Sequence, residues 1–195
     1  MKKYFLVLLP ALMMLSSCSV LQEAGKFANI VNCRFRLESV KQLTLAGVNV
    51  QNVKKLSDLT LVDGAKLATA VASGQFPLTF TLNTEVSNPN ASSAKMTQFD
   101  WILLIDDIEM TAGTVNNSYT IPAKGASVIP MQMNIDLKKA LSGKSADAII
   151  NFGLNLAGTG NEPTRFTLKV RPTISVGAYS ITYPNYLTVT TQYGS

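Results

Sequence analysis

Strict alternation of apolar and polar residues predicts two long, half-buried strands. From Phe76 to Val86 the even positions are mainly apolar and the odd positions are mainly polar. The same period of two runs from Arg165 to Val176, which is typical of a strand with one face in a core. Pro172 interrupts this second strand, and because proline has no N–H to donate we expect an edge position or a bulge there.

Shorter stretches of the same character indicate further strands. They are 33–40, 43–50, 129–135, 148–156 and 187–192. The stretch Phe99–Ile105 is apolar on both faces, which favours a central strand that is covered on each side. Asp106 and Asp107 follow it, and they indicate a hairpin turn that leads into residues 108–115. A pair of carboxylates in general acid–base catalysis is the alternative interpretation.

Two stretches have helical spacing instead. Asp63 is predicted to cap a helix that ends at Gly74, and Asp136 to cap a shorter one through Leu141 before Gly143. About eight strands without an alternating strand–helix rhythm predict an all-β fold. We therefore expect a two-layer antiparallel sandwich with small helical insertions.

The first residues resemble a bacterial lipoprotein signal. Two lysines precede a short apolar segment, Tyr4–Leu15, which ends in the motif Leu15-Ser16-Ser17-Cys18. That segment is shorter than the ~20 residues that a bilayer core requires. The resemblance implies that the leader is cleaved before Cys18 and that this cysteine carries the acyl chains. The predicted organisation is a signal peptide at 1–17, a lipidated tether at 18–31 and one domain at 32–195.

Composition narrows the function. The sequence has 17 basic and 12 acidic side chains, so the net charge is about +3 without the two leader lysines, and no dense basic patch favours nucleic acid. It has no histidine, and Cys33 is the single cysteine besides the lipid site. We expect Cys33 to be buried; a reactive thiol is the alternative. No enzyme activity, metal or cofactor is predicted.

A family resemblance rests on four motifs in order. A long strand ends in Asn88-Pro89-Asn90; an aromatic-led strand begins at Trp101; its hairpin partner contains Gly113; and Ile121-Pro122-Ala123-Lys124-Gly125 precedes another strand. This order is similar to the group 2 late embryogenesis abundant (LEA) proteins, the water stress and hypersensitive response (WHy) domain. The resemblance covers about residues 32–176. It implies an immunoglobulin or fibronectin type III-like sandwich, a role in desiccation or other stress, and no catalytic residues.

Three features remain open at this level. Pro89 stops the strand and the flanking asparagines can close Asx turns, with ligand binding by the two amides as the alternative. The insertion at 56–74 and a tyrosine-rich tail after Ser175 depart from the family pattern. We expect both to cover sheet edges, against a function peculiar to this protein.

The sequence predicts a lipid-anchored, non-enzymatic envelope protein with a protective role. Its partners would be the membrane, through Cys18, and an envelope protein. Ser19 follows the lipid site, which favours the outer membrane, and the periplasmic face is expected. One alternative is an assembly subunit that docks through a sheet edge. A carbohydrate-binding module is another, with Trp101 as a stacking platform, although core packing is the favoured place for that ring.

Overall fold

The computed structural model describes residues 29–53, 56–140, 142, 164–176 and 179–193. The strands, in chain order, are β1 (Arg34–Leu45), β2 (Val48–Asn49), β3 (Pro77–Ser87), β4 (Ala94–Met96), β5 (Gln98–Ile105), β6 (Ile108–Val115), β7 (Tyr119–Ile121), β8 (Ala126–Asp136), β9 (Thr164–Val176), β10 (Tyr179–Thr182) and β11 (Leu187–Tyr193). The helices are α1 (Leu61–Ser73) and α2 (Leu137–Ala140), and a 3-10 turn covers Leu56–Asp58. The predicted all-β fold with small helical insertions is confirmed.

Two antiparallel sheets form the two layers. The first has the order β2-β1-β3-β8 and the second β10-β9-β5-β6, with β11 also paired to β9. A small pair, β4 and β7, lies where β3 leads into β5. The Phe80 ring of the first sheet meets the Phe166 ring of the second edge-on, with centroids 6.4 Å apart. The core therefore lies between the sheets, as the predicted sandwich requires.

Regular alternation in the sequence becomes regular pairing in the first sheet. β3 pairs with β8 over its whole length, from Pro77 opposite Asp136 to Ser87 opposite Ala126, without a shift in register. The apolar side chains on the core-facing side of both strands are buried: Leu78, Phe80, Leu82, Val86, Ile129, Met131, Met133 and Ile135. Burial of a side chain of this size contributes about 1.5–3 kcal/mol, so this pair of strands is a major part of the core.

The two strands predicted at 33–40 and 43–50 are in fact one long strand, β1, followed by a tight turn. The register of β1 against β3 shifts twice, and Gln42 in the second shift has a positive φ of 57°. Each such bulge changes which residues face the core, so the alternation breaks although the strand continues. The turn at Ala46–Gly47 then leads into the two-residue β2.

β5 has the central position that was predicted, but only one of its faces is fully buried. It pairs with β6 on one side and with β9 on the other. Phe99, Trp101, Leu103 and Ile105 are buried, whereas the intervening Ile102 and Leu104 are half-buried. The expected central position is confirmed, and the expected cover on each side holds fully for one face and partly for the other.

The carboxy-terminal strands run along the outer edge of β9. β10 pairs with Thr173–Val176 and β11 with Thr164–Val170, so together they form one edge strand that is interrupted at 183–186. Pro172 lies opposite the interruption, and its carbonyl oxygen accepts a hydrogen bond from the Tyr183 N–H at 2.9 Å. The edge position predicted for Pro172 is wrong, since β9 has neighbours on both sides. The prediction that the tyrosine-rich tail covers a sheet edge is confirmed.

The N-cap of helix α1 lies three residues before the predicted cap. Thr60 is the N-cap, and the Asp63 N–H donates to its hydroxyl at 3.1 Å. The Asp63 carboxylate in turn accepts a hydrogen bond from the Thr60 N–H at 3.4 Å. Asp63 is therefore the partner residue of a capping box rather than the cap. The helix ends as predicted at Gly74, which has a φ of +72°.

The second predicted cap is confirmed. The Asp136 carboxylate accepts hydrogen bonds from the N–H groups of Lys138, at 3.1 Å, and Lys139, at 3.5 Å. These bonds satisfy two of the free donors in the first turn of α2. The predicted end of this helix at Leu141 and Gly143 lies outside the described residues, as does the strand predicted at 148–156.

The chain is already packed against the core at the first residues that the structure describes. Residues 29–31 are helical, and Ile30 is completely buried. The Cys33 N–H donates to the Ile30 carbonyl at 3.1 Å and leads directly into β1. Within the described ranges, no helix has the length and apolar character that crossing a bilayer demands.

Candidate functional site

The sites predicted from the sequence fall in two places. Leu15, Ser16, Ser17 and Cys18 lie outside the described residues, as does the predicted signal peptide. The motif Asn88-Pro89-Asn90 lies at the end of β3, at the end of the sandwich where residues 29–31 also pack. We therefore take this end of the molecule, around the motif, as the candidate site.

Asn88 bonds to several backbone segments at once. Its side chain is 2% exposed. Its amide nitrogen lies 2.9 Å from the carbonyl oxygen of Ser92, 3.1 Å from that of Ile121 and 3.0 Å from that of Pro122. Its backbone N–H donates to the Gly125 carbonyl at 2.8 Å. One residue thus ties the end of β3 to the loop that follows it and to the turn between β7 and β8.

The remaining oxygen of Asn88 closes the turn around the proline. It accepts hydrogen bonds from the Asn90 backbone N–H at 3.0 Å and from the Asn90 amide at 2.7 Å. The bond from side chain to backbone two residues later is an Asx turn, and it confirms that role for the motif. Because both ends of the buried Asn88 amide are occupied within the fold, no part of it is left to bind a ligand.

Asn90 joins this turn to the incoming chain. Its amide also donates to the Asn29 carbonyl at 2.9 Å, and the Asn29 amide donates to the Ser93 carbonyl at 3.2 Å. Asn29 was not singled out in the sequence. Its partners are backbone carbonyls and an asparagine 61 positions away, so no local pattern could have identified it.

Lys124 closes the site on its other side. Its amine donates to the Pro89 carbonyl at 2.6 Å, and its backbone N–H donates to the Asn90 carbonyl at 3.1 Å. Lys124 has a φ of +53° in the turn between β7 and β8. The segment Ile121–Gly125, recognised in the sequence only through its family resemblance, is thus the partner loop of the Asn-Pro-Asn motif.

Cys33 is buried beside this site, as predicted. Its thiol donates to the Asn29 carbonyl at 3.3 Å. Burial raises the pKa of the Cys33 thiol from 9.0 to about 11. A thiol with a raised pKa holds very little thiolate near neutral pH, which makes it a poor nucleophile. The alternative of a reactive cysteine therefore has no support from its surroundings.

The acidic doublet forms the turn that was predicted. Asp106 and Asp107 both have positive φ values, 48° and 64°, as the primed two-residue hairpin turns need. Asp106 accepts a hydrogen bond from the Arg165 N–H at 3.0 Å, and Asp107 forms an ion pair with the Arg165 guanidinium. Both carboxylates thus have structural partners in the turn.

Trp101 belongs to the core. It is 7% exposed, and its ring packs on Gly113 of the neighbouring strand so closely that an added Cβ would lie 2.7 Å from the ring. The prediction of core packing is confirmed. A side chain this buried offers no platform on which a sugar could stack.

The concave surfaces of the described part are shallow or small. An open groove of about 480 Å³ lies between α1 and the start of β3. A crevice of about 130 Å³ between β1 and β11 leads toward Leu82 and Phe166, well below the ~300–1,000 Å³ that ligand pockets usually enclose. An open groove of about 510 Å³ lies at the candidate site, between Arg34 and Lys124. Among the described residues, no cluster of three potential metal ligands occurs.

Comparisons with known proteins give distant structural similarities. No family model matches the chain, and no curated protein matches it. A protein from Archaeoglobus fulgidus is 12% identical, with a TM-score of 0.35, and the match covers 82% of this chain and 97% of that one. A putative late embryogenesis abundant (LEA) protein is 13% identical, with a TM-score of 0.38, over 95% and 87% of the two chains. A protein from Arabidopsis thaliana is 12% identical, with a TM-score of 0.36, over 60% and 72%. Similarity at this level assigns neither a family nor an activity.

Proposed function

We propose that this chain is a lipid-anchored, non-enzymatic protein of the bacterial cell envelope, attached to the outer membrane on its periplasmic face. The observation that carries the proposal is the motif Leu15-Ser16-Ser17-Cys18 directly after a basic and apolar leader. Two or three acyl chains on one cysteine suffice for stable anchoring without further contacts. The sandwich then lies at the membrane, joined to Cys18 by a short segment.

The role of the sandwich is proposed from its motifs. The order of Asn88-Pro89-Asn90, Trp101, Gly113 and Ile121–Gly125 resembles a WHy domain, whose members are associated with desiccation and other stress. In this chain those motifs serve the fold, because Asn88 bonds to the Ile121–Gly125 loop and Trp101 packs on Gly113. A folded domain with such an interior protects other molecules through its surface rather than as a disordered solute.

Absence of enzyme activity is part of the same proposal. The sequence has no histidine, the thiol of Cys33 is buried with a raised pKa, and Asp106 and Asp107 both have structural partners. None of these groups is placed or activated for acid–base or nucleophilic catalysis.

Anchoring is tested by membrane fractionation. The wild-type protein is expected to enter the detergent phase of extracted membranes, and a Cys18→Ala protein to remain in the aqueous phase. Cys33→Ala is the matched control, because it removes the other cysteine and leaves the lipid site intact. A Cys18→Ala protein that still enters the detergent phase would refute the anchor.

Protection is tested separately. A test enzyme is dried or frozen with the purified protein, and its remaining activity is compared with that after the same treatment with an equal mass of albumin. We expect higher recovery with this protein. Equal recovery would contradict the protective role and leave the anchor untouched.

An assembly subunit is the second candidate, and the tail favours it. Residues 172–193 contain no charged side chain. Charged side chains, bulges and prolines usually prevent a sheet edge from pairing with another chain. In the first sheet, Pro130 lies in the edge strand β8, and two bulges distort β1. In the described part of the strand formed by β10 and β11, the interruption at 183–186 is the one such feature that would hinder pairing with another chain.

This second candidate predicts that a charge on the tail blocks docking. Crosslinking in intact cells is expected to give a single dominant partner, which Thr188→Lys on β11 removes. Val128→Lys on β8 is the control, since Val128 is also exposed but belongs to a different edge. Loss of the partner with both variants, or with neither, would contradict docking through the tail.

A further inference from the structure

Uncompensated positive charge collects at the end of the sandwich that holds the Asn-Pro-Asn motif. Arg34 and Lys124 line the open groove of about 510 Å³ there. Lys95 lies at the same end, in β4, whose partner strand β7 leads into the Lys124 turn. We call Arg34, Lys95 and Lys124 the basic end. Among the described residues, none of the three forms an ion pair.

Two carboxylates on strands that reach this end, Glu85 and Asp100, already have partners. Glu85 forms an ion pair with Arg36 at 3.0 Å. Asp100 forms one with Arg171 at 2.8 Å, and this pairing lowers the pKa of Asp100, which keeps it ionised and engaged. Among the described residues, these two carboxylates are therefore not available to pair with the basic end.

The opposite end of the sandwich has a different character. Five carboxylates, Asp63, Asp106, Asp107, Glu109 and Asp136, lie there beside four basic side chains, Lys66, Lys138, Lys139 and Arg165. These side chains sum to −1, against +3 for the basic end, and we call this the acidic end. The molecule is thus polarised along its strands. An anionic surface would attract one end and not the other.

Exposed apolar side chains lie at both ends: Leu61 and Val62 belong to α1 at the opposite end, and two others lie at the basic end. Tyr179, at the start of β10, is 79% exposed, and Ile181 is 45% exposed. Both pair with the last residues of β9, and Thr97, which precedes β5, donates its N–H to the Thr173 carbonyl at 2.9 Å. This places them at the same end as the motif. A tyrosine with an apolar ring and a polar tip suits the boundary between lipid headgroups and acyl chains.

The incoming chain reaches the domain at this end too. Asn29 is fastened there by its bonds with Asn90 and Ser93. The 11 positions between Cys18 and Asn29 span at most about 40 Å when fully extended. A lipid on Cys18 would therefore hold the basic end close to the bilayer rather than the acidic end.

We propose that the basic end binds the anionic phospholipid headgroups of the membrane in which Cys18 is anchored. The inference rests on the proposed anchor, which supplies a high local concentration. Each basic side chain near an anionic surface contributes roughly a fivefold gain in partitioning, so three give about a hundredfold. A hundredfold gain in partitioning gives only weak membrane binding by a free protein, but it suffices to orient a protein that is already tethered to the membrane. The sandwich then lies against the bilayer with its acidic end outward.

The test uses the mature chain, residues 18–195, with Cys18→Ser so that no lipid contributes. Sedimentation is measured with vesicles of phosphatidylcholine alone and of phosphatidylcholine mixed equally with phosphatidylglycerol. We expect binding only to the mixed vesicles, and its loss at high salt, because ions screen such contacts. Equal binding to both kinds of vesicle would overturn the proposal.

Paired variants locate the surface. Arg34→Gln with Lys124→Gln is expected to lower binding about 25-fold. Lys138→Gln with Lys139→Gln changes the net charge equally at the opposite end and should leave binding unchanged. The same loss with both pairs would show attraction by net charge alone and overturn the proposal. If loss of the Lys124 bond unfolds the protein, Arg34→Gln with Lys95→Gln replaces the first pair.

Three further outcomes separate membrane docking from a free-anion site and from failure of the proposed anchor. Displacement from vesicles by inorganic phosphate at an equal phosphate concentration would show a site for the free anion and overturn membrane docking. Absence of vesicle binding, with the Cys18-dependent anchoring intact in cells, would overturn this inference alone. Vesicle binding by a protein whose Cys18 proves not to be an anchor would refute the proposed function instead.

Discussion

One buried amide holds the candidate end of the molecule together. Asn88 reaches the carbonyl oxygens of Ser92, Ile121 and Pro122 while it accepts two bonds from Asn90. An aliphatic side chain would leave these groups without partners, and a carboxylate would face three carbonyl oxygens. Position 88 therefore requires an amide, because asparagine has a donor and an acceptor on one short side chain.

Asn88→Ala is expected to lower the free energy of unfolding by about 2–3 kcal/mol, because several buried polar groups lose their partner. Urea unfolding measures the change. Asn117→Ala is the control, since Asn117 is exposed in the loop before β7 and should change stability by less than about 0.5 kcal/mol. Equal effects of the two substitutions would contradict the role of Asn88 as a cross-link.

Cys33 makes stability depend on alkaline pH. Its pKa in the folded protein is raised from 9.0 to about 11, so the unfolded chain releases the thiol proton first. The contribution is complete below about pH 9 and is lost as the pH rises to about 11. We expect the wild type to lose more stability over this interval than Cys33→Ala does, as measured by urea unfolding. Parallel pH curves would contradict the raised pKa.

At the scale of elements, two glycines differ in the space available for a side chain. Gly113 in β6 lies under the Trp101 ring, and an added Cβ would come within 2.7 Å of it. Gly64 in α1 is helical and exposed, and an added Cβ would meet nothing within 4 Å. The same substitution should therefore destabilise the sheet and stabilise the helix.

Gly113→Ala is expected to cost about 1–3 kcal/mol through overpacking, and Gly64→Ala to add about 0.5–1 kcal/mol through helix propensity. Thermal or urea unfolding measures both. Trp101 is the sole tryptophan, so its emission reports the displaced ring in Gly113→Ala and should not move in Gly64→Ala. A neutral Gly113→Ala would show that the ring moves freely and refute the close packing.

The strand pair β3–β8, with uninterrupted pairing, was predictable from the sequence, and β1, with two bulges, was not. β3 and β8 keep one register throughout, so their alternation could be interpreted directly. β1 shifts register twice and was divided into two strands. At α1, Thr60 and Asp63 both suit a cap, and only the geometry distinguishes the cap from its partner. The partners of Asn88 could not be predicted, because backbone carbonyls far along the chain leave no mark in the sequence.

At the scale of the whole molecule, one core serves both sheets. Phe80 and Phe166 meet across it, and the cluster of buried side chains extends from Ile30 to Val170. In the described part of the chain, each sheet buries its apolar face against the other. We therefore expect the two sheets to unfold together.

Two probes test that expectation. Trp101 fluorescence reports the second sheet, and the reaction of the Cys33 thiol with a maleimide reports the start of the first. Their midpoints in urea should coincide. A thiol that reacts at urea concentrations where the Trp101 emission is still native would reveal separate opening of the first sheet.

The edge strand formed by β10 and β11 has a consequence for how the protein is made. Translation proceeds from the amino end, so β9 emerges before the strand that pairs with its outer edge. During that interval β9 has its neighbour β5 but a bare row of backbone donors and acceptors on the other side. The uncharged residues that follow would be equally prone to pair with another nascent chain. Synthesis therefore passes through a stage at which chaperone binding near β9 would prevent aggregation.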